Sequence, residues 1–374
     1  MFNRIVLFVF TGIIGTIRPI YAQTTHYVST FSDLTSKISS AASGDIIEIQ
    51  NDLTTSSPAS GFSAITISKT LTINGNGNTI TVPSTGVTDG GINNTGSSGT
   101  STATSYRVLE TSGSSVTITI NDWVIKGGNI GSNGAGGCIR NSANKLVLND
   151  VTISNGRSSY TTSGSVVLGN GGGGIYNSGR LYMNRCMVTR NSAGYGGGML
   201  NDGGYIYGEN STFTENRSEY SLGGGGACES KNSGFLYINN CTFSNNYSTE
   251  HGGAINNYLS TLYVANSTFT GNVCYGDFGG AAIANRSNEY ILNCIFAYNY
   301  YRSSGTTSSP SAFSLDDFAI PTSSPTNGTN VNCYYSIHHT SNNKINNSTS
   351  IGNITYTGAA DGSDNSIFAG GIYT

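Results

Sequence analysis

A short signature recurs along the middle of the chain at nearly constant spacing, and this constrains the fold more than any other feature. Its copies open at Gly136-Gly137-Cys138-Ile139, Gly172-Gly173-Gly174-Ile175, Gly196-Gly197-Gly198-Met199, Gly224-Gly225-Gly226-Ala227, Gly252-Gly253-Ala254-Ile255 and, less closely matched, Gly280-Ala281-Ala282-Ile283. The fourth residue of each copy falls at 139, 175, 199, 227, 255 and 283, so the steps are 36, 24, 28, 28 and 28 residues. A second signature keeps step with it: Phe213-x-x-Asn216, Phe243-x-x-Asn246, Phe269-x-x-Asn272 and Phe296-x-x-Asn299. Val188-x-x-Asn191 is a variant, and Ile153 and Ile125 hold the same place in weaker copies. Fixed periods of this size are the mark of stacked repeats.

Inside a unit the apolar residues alternate. Leu236, Ile238 and Phe243, and their equivalents Leu262, Val264 and Phe269, are separated by polar or half-exposed residues, which is the period of a strand. Two or three short strands joined by Gly and Asn corners cannot bury their own apolar faces, but stacked on copies they enclose one core. The spacing predicts an all-β fold, a single-stranded right-handed parallel β-helix. Phe213, Phe243, Phe269 and Phe296 should form an internal aromatic ladder at about 4.8 Å per coil. The paired glycines should supply positive φ and close backbone approach at one corner. Asn216, Asn246, Asn272 and Asn299 should occupy another, where Asn tolerates the left-handed region. The solenoid is expected to run unbroken from about residue 45 to 300.

Ahead of the repeats, Phe31 to Ala41 has helical spacing with Ser32 or Asp33 as cap, and reads as a short helix closing the N-terminal end of the stack. Strands follow at 44–49, 65–67, 71–73 and 79–82. Loop insertions are expected at 83–105, 157–169 and 302–330, the last carrying Phe313, Leu315, Phe318 and Ile320. Residues 1–22 read as a signal peptide, with Arg4 before an apolar run that ends at Ile17, and residues 23–374 as the β-helix domain. No later run is long enough to span a membrane as a helix. The chain ends on Gly370-Gly371-Ile372-Tyr373, which reads as a unit just begun.

A net charge of −3 and only 10% charged residues give no electrostatic reason to expect nucleic acid or an anionic membrane as partner. Of the seven cysteines, Cys186, Cys241 and Cys294 share one slot with Ser211 and Ser267. Like positions two coils apart lie about 10 Å from each other, beyond disulfide reach, so these three should be thiols. Cys274 and Cys333 fall in expected turns or loops, where pairing stays open. No CxxC and no His at ligand spacing indicate a metal, and no cofactor motif is present.

The paired signatures between 136 and 299, clearest where Gly252-Gly253-Ala254-Ile255 meets Phe269-x-x-Asn272, resemble the repeats of the polymorphic outer membrane proteins. The resemblance implies a surface-exposed adhesin or passenger domain, secreted or associated with the outer membrane. The fold is also similar to that of pectate lyases and polygalacturonases, whose chemistry needs clustered acids with a basic residue or a metal. The candidates for such chemistry are Glu250, His251 and Asp277, set before successive Gly-Gly corners, with Glu219 in the preceding turn. Asp316-Asp317 with His338-His339 form a second possible cluster. Solvated turn charges account for all of them equally well. The sequence therefore points first to an adhesin-like monomer that contacts a glycan or a host surface protein. A polysaccharide lyase or glycoside hydrolase and a structural surface component stand as alternatives. A tyrosine-studded face would favour binding, and an acid cluster with a base opposite would favour the enzyme.

Overall fold

A strand in this chain finds its partner not in the next strand but in its own equivalent one coil later, because the apolar positions repeat once per coil. The computed structural model describes residues 23–56, 62–82, 106–130, 134–158, 171–219, 223–275, 280–285 and 287–302, and the backbone of short strands at 314–315, 318–319, 331–334, 337–338 and 368–369. The expected signal peptide and most of the expected loop insertions lie outside these residues. Among the described residues three sheets have 18, 11 and 7 strands; the first two start in the N-terminal coils and the third at Arg157–Ser158. The strand pairings are parallel, except where Tyr300–Tyr301 meets Ser314–Leu315 and Ile337–His338 meets Phe368–Ala369. The protein is an all-β parallel β-solenoid, with one helix among the described residues.

The inward columns are apolar and continuous. In the second sheet Ile80, Ile125, Ile153, Val188, Phe213, Phe243, Phe269 and Phe296 follow one another in register. The four phenylalanines are fully buried and stack face to face, with centroids 4.6, 4.7 and 4.8 Å apart. The first sheet contributes the column Leu146, Leu181, Ile206, Leu236 and Leu262. Each such side chain removed from water is worth about 1.5–3 kcal/mol.

Polar columns are buried too, and each is fully engaged. The Asn191 side-chain amide donates to Asn216 Oδ1 at 3.0 Å, and the pattern repeats from Asn216 to Asn246, Asn272 and Asn299. These asparagines do not sit in the left-handed region as their sequence position suggested. That conformation belongs to the residue before each one: Glu215, Asn245, Gly271 and Tyr298. The asparagine itself stays inside, where its amide satisfies backbone groups that the bend would orphan. A second buried ladder, Asn141–Asn177–Asn201–Ser230, lines the bend in the first sheet.

Both glycines of a pair are required. The first, at 136, 172, 196, 225, 252 and 280, has positive φ throughout, and a Cβ on Gly252 would also lie 2.0 Å from the carbonyl oxygen of Ile255. The second, at 137, 173, 197, 226 and 253, is crowded by the neighbouring coil: a Cβ on Gly253 would lie 2.2 Å from the carbonyl oxygen of Ala281, the residue that takes this place in the last copy.

Several expectations need correction. Met199 pairs with Cys228, and Cys228 with Ile255, so the fourth copy is marked by Cys228 and not Ala227. The run Gly223–Gly226 hides its own register, and only the positive φ of Gly225 fixes which glycine turns the corner. Stacking begins earlier than residue 45, since Thr25–Val28 already pairs with Ile46–Ile49. The helix spans Phe31–Ser40, and its cap is Thr30, whose Oγ1 accepts from the Asp33 N–H at 3.1 Å. Leu34 and Ile38 of that helix join the core. Arg157–Ser158, placed in an insertion from sequence, is a rung of the third sheet. Phe318–Ala319, read as part of a loop, pairs with Ile283–Ala284 as a further rung. Cys274 lies buried in the strand Val273–Tyr275, its thiol donating to the Glu250 carbonyl at 3.1 Å, and not in a turn.

Candidate functional site

Alternation places every second residue of the first sheet outside. Where Leu236 and Ile238 point in, Phe235, Tyr237 and Asn239 point out. Register then builds an outward column from equivalent positions: Tyr182, Tyr207, Tyr237, Tyr263 and Tyr290. Tyr182 and Tyr207 stack at 4.9 Å with planes 7° apart, and Tyr263 and Tyr290 at 4.4 Å and 6°. Between these pairs Phe235, from the neighbouring column, leans at 5.6 Å against both Tyr207 and Tyr263. Desolvation between the rings, and then the adjacent Tyr290 hydroxyl, hold the Tyr263 phenol above its ordinary range.

Cations close the N-terminal end of this surface. Lys145 Nζ lies 5.1 Å from the Tyr182 ring centre, and the Arg180 guanidinium 5.6 Å from that of Tyr205. On the other flank runs an exposed asparagine row. Asn240 donates to Asn210 at 2.7 Å, Asn266 to Asn239 at 2.8 Å and Asn293 to Asn266 at 2.8 Å. Asn210, Asn240, Asn266 and Asn293 all have positive φ, so this row is also a corner of the coil.

The charged clusters lie elsewhere. His251 is buried and bridges to Gly224 through the backbone, while Glu250 is half-buried beside it. Asp277 lies outside the described residues, as do the side chains of Asp316, Asp317, His338 and His339. The structure adds Glu229, which the sequence reading missed. It is buried, and its Oε2 accepts the Gly224 N–H at 3.3 Å, so Glu229 and His251 converge on one glycine. The one-residue register shift explains the miss, because it moves Glu229 out of the ladder slot now held by Ser230.

Glu219 sits between Arg157 at 3.4 Å and Arg217 at 3.5 Å. Burial raises its pKa, and the two guanidinium charges only partly offset this. Nearer the N-terminus, Glu110 accepts from Ser63 at 2.7 Å, Arg107 at 2.8 Å and Arg140 at 3.0 Å. Burial opposes its ionisation, but the Ser63 bond and the two arginines outweigh that, and its carboxyl titrates below the usual range. Among the described residues no group of three or more His, Cys, Asp or Glu is arranged to hold a metal ion. No helix among them is long and apolar enough to cross a membrane.

The sequence held the signal for the tyrosine column. Each of its members sits between two inward positions at the repeat spacing, but only the pairing register shows that they are neighbours. No curated protein and no solved structure matches the chain. The polymorphic outer membrane protein resemblance rests on residues 136–299, mostly beyond the stretch that a known family covers. That stretch is residues 25–165, the N-terminal coils of this parallel β-solenoid, which match the family described as "Putative pectate lyase-like adhesive domain".

Proposed function

We propose that this is an adhesive protein of the cell surface that makes contact through the outer face of its first sheet. The observation that carries this reading is the tyrosine column from Tyr182 to Tyr290. Tyrosine combines a large apolar ring with a polar tip and loses little side-chain freedom on binding, which suits it to contact surfaces. Here the rings are already held by stacking, so contact orders little that is not ordered before. The likeness of residues 25–165 to an adhesive domain supports the same reading. An adhesive role implies export, in line with an N-terminal segment that reads as a signal peptide.

The test is attachment. Beads carrying the purified chain should adhere to cell monolayers. A variant with Tyr207→Ser, Tyr237→Ser and Tyr263→Ser, shown by its circular dichroism and melting curve to keep the solenoid, should detach under the same flow. Equal attachment of the variant would remove this face from the function.

A further inference from the structure

We propose that the partner of the tyrosine column is an uncharged polysaccharide chain laid parallel to the solenoid axis, an inference that rests on the adhesive reading above. Charge is the first argument. Three outward columns cross the four coils between Tyr205 and Leu292, and within that grid the one formally charged side chain is Glu209. An acidic polymer would need cations along its path. The cations of this face, Lys145 and Arg180, lie at its N-terminal margin and cover tyrosine rings.

Spacing is the second argument. In this column the ring centres of Tyr182 and Tyr207 lie 4.9 Å apart, those of Tyr207 and Tyr237 6.2 Å and those of Tyr263 and Tyr290 4.4 Å, spacings that follow the rise of one coil. An extended peptide returns a side chain to the same side only every ~6.6–6.8 Å, so it drifts out of step with the coils. A chain of pyranose rings advances per sugar by a length close to the ~4.8 Å rise of one coil, so it drifts out of step far more slowly than a peptide does.

The third argument is the chemistry on offer. Ring faces inside the stacked pairs Tyr182–Tyr207 and Tyr263–Tyr290 are closed to a ligand, so edges and hydroxyls form the contact surface. Beside them Asn210 and Asn266 each donate one N–H and accept one within the asparagine row, and Asn240 and Asn293 each donate one. An amide has two of each, which leaves a fixed donor and acceptor per coil for sugar hydroxyls. Each coil adds a weak contact, and the affinity comes from several coils engaging one chain.

The experiment is co-sedimentation of the full chain with insoluble neutral glucans and mannans and, in parallel, gel retardation in soluble neutral polysaccharide and in polygalacturonate. Binding to a neutral polymer is expected, and it should not change between low salt and ~1 M salt, where charge–charge attraction is screened to about 3 Å. Tyr207→Phe with Tyr263→Phe keeps the rings and removes hydroxyls, and should weaken binding about tenfold while leaving the melting curve unchanged. Binding only to polygalacturonate, lost at high salt, would overturn the proposal. So would attachment to cells that depends on the tyrosines while the protein ignores every neutral polysaccharide, and that result would leave the adhesive reading standing. Failure to attach to cells at all, together with no glycan binding, would sink both.

Discussion

Glu289 stands in register with Leu262 on the preceding coil, and both side chains are wholly buried in the solenoid interior. The same column holds Leu181, Ile206 and Leu236 on earlier coils. Among the described residues neither oxygen of the Glu289 carboxyl group has a hydrogen-bond partner. Burial alone pushes its pKa up to about 8. The folded state therefore binds the proton more tightly than the unfolded chain, where a glutamate titrates at about 4.3. Stability from this site is full below the unfolded pKa and falls as pH rises from there to about 8. The expected loss over that window is a few kcal/mol, seen as a falling melting temperature. Glu289→Leu, which restores the column, should raise stability by about 1–4 kcal/mol at pH 8 and flatten that slope. An unchanged slope in the leucine variant would place the pH dependence elsewhere.

Both glycines of a corner should be intolerant of alanine. Gly252 has φ of +56°, a left-handed conformation that costs alanine about 1–2 kcal/mol. A Cβ there would also lie 2.0 Å from the carbonyl oxygen of Ile255. Gly253 lacks the unusual φ but not the crowding, because its Cβ would meet backbone oxygens of Ala281 at 2.2 Å and Val273 at 2.7 Å. Backbone in a parallel sheet cannot step aside without breaking its pairings. Gly252→Ala and Gly253→Ala should each cost about 2 kcal/mol or more in urea unfolding, within the range of severe single substitutions. A loss below ~1 kcal/mol at either position would mean that the corner relaxes to admit a side chain.

The fold was legible because the same physics acts on every coil. A residue such as Phe243 stands in register with its own equivalents, Phe213 and Phe269, so the pattern of the sequence is the pattern of the pairing. Legibility failed where the local signal was degenerate. Four consecutive glycines at 223–226 leave the corner free to slide by one, and a one-residue slip turns each side chain to the other face. Counted from Gly224, the copy aligns Glu229 with Asn201 and Asn257, where the structure has Ser230. The helix cap was misplaced for a related reason: Thr30, Ser32 and Asp33 are all capable of capping, and only the backbone angles at Thr30 decide. The tyrosine column needed the register of five strands at once, which composition alone does not supply.

Among the described residues six cysteines are buried and in the thiol form. Cys186, Cys241 and their serine equivalents form one inward slot, linked where the Cys186 N–H donates to Ser211 Oγ at 3.0 Å and the Cys241 N–H to Ser267 Oγ at 3.1 Å. Burial pushes the Cys186 thiol up to about 11 and Cys241 up to about 12, so neither is a thiolate at neutral pH. The native protein should resist alkylation at pH 8, and the denatured, unreduced protein should take up label at Cys186, Cys241 and Cys294. Mass spectrometry that found any two of these three joined would contradict the slot, since two coils separate them by about 10 Å.

The interior should depend on its polar ladder at least as much as on its aromatic one. Phe243→Ala opens a cavity between two stacked rings and is expected to cost about 3–5 kcal/mol. Asn246 sits three residues on, in the adjacent inward column. Its Oδ1 accepts both the backbone and side-chain N–H groups of Asn216 at 3.0 Å, and its amide donates to the Phe213 carbonyl and to Asn272 Oδ1 at 2.9 Å. Asn246→Ala strands these groups in a site with no access to water, each at about 1–3 kcal/mol and not additively. A combined loss of at least 3 kcal/mol is expected from chemical denaturation. Asn246→Asp preserves the shape but sets carboxylate oxygen against the Phe213 carbonyl and Asn272 Oδ1. It should be as disruptive as alanine at neutral pH and recover part of the loss in acid, where protonation restores one donor. If Asn246→Ala cost less than ~1 kcal/mol, or Asn246→Asp showed no dependence on pH, the ladder would be a consequence of the stacking and not one of its causes.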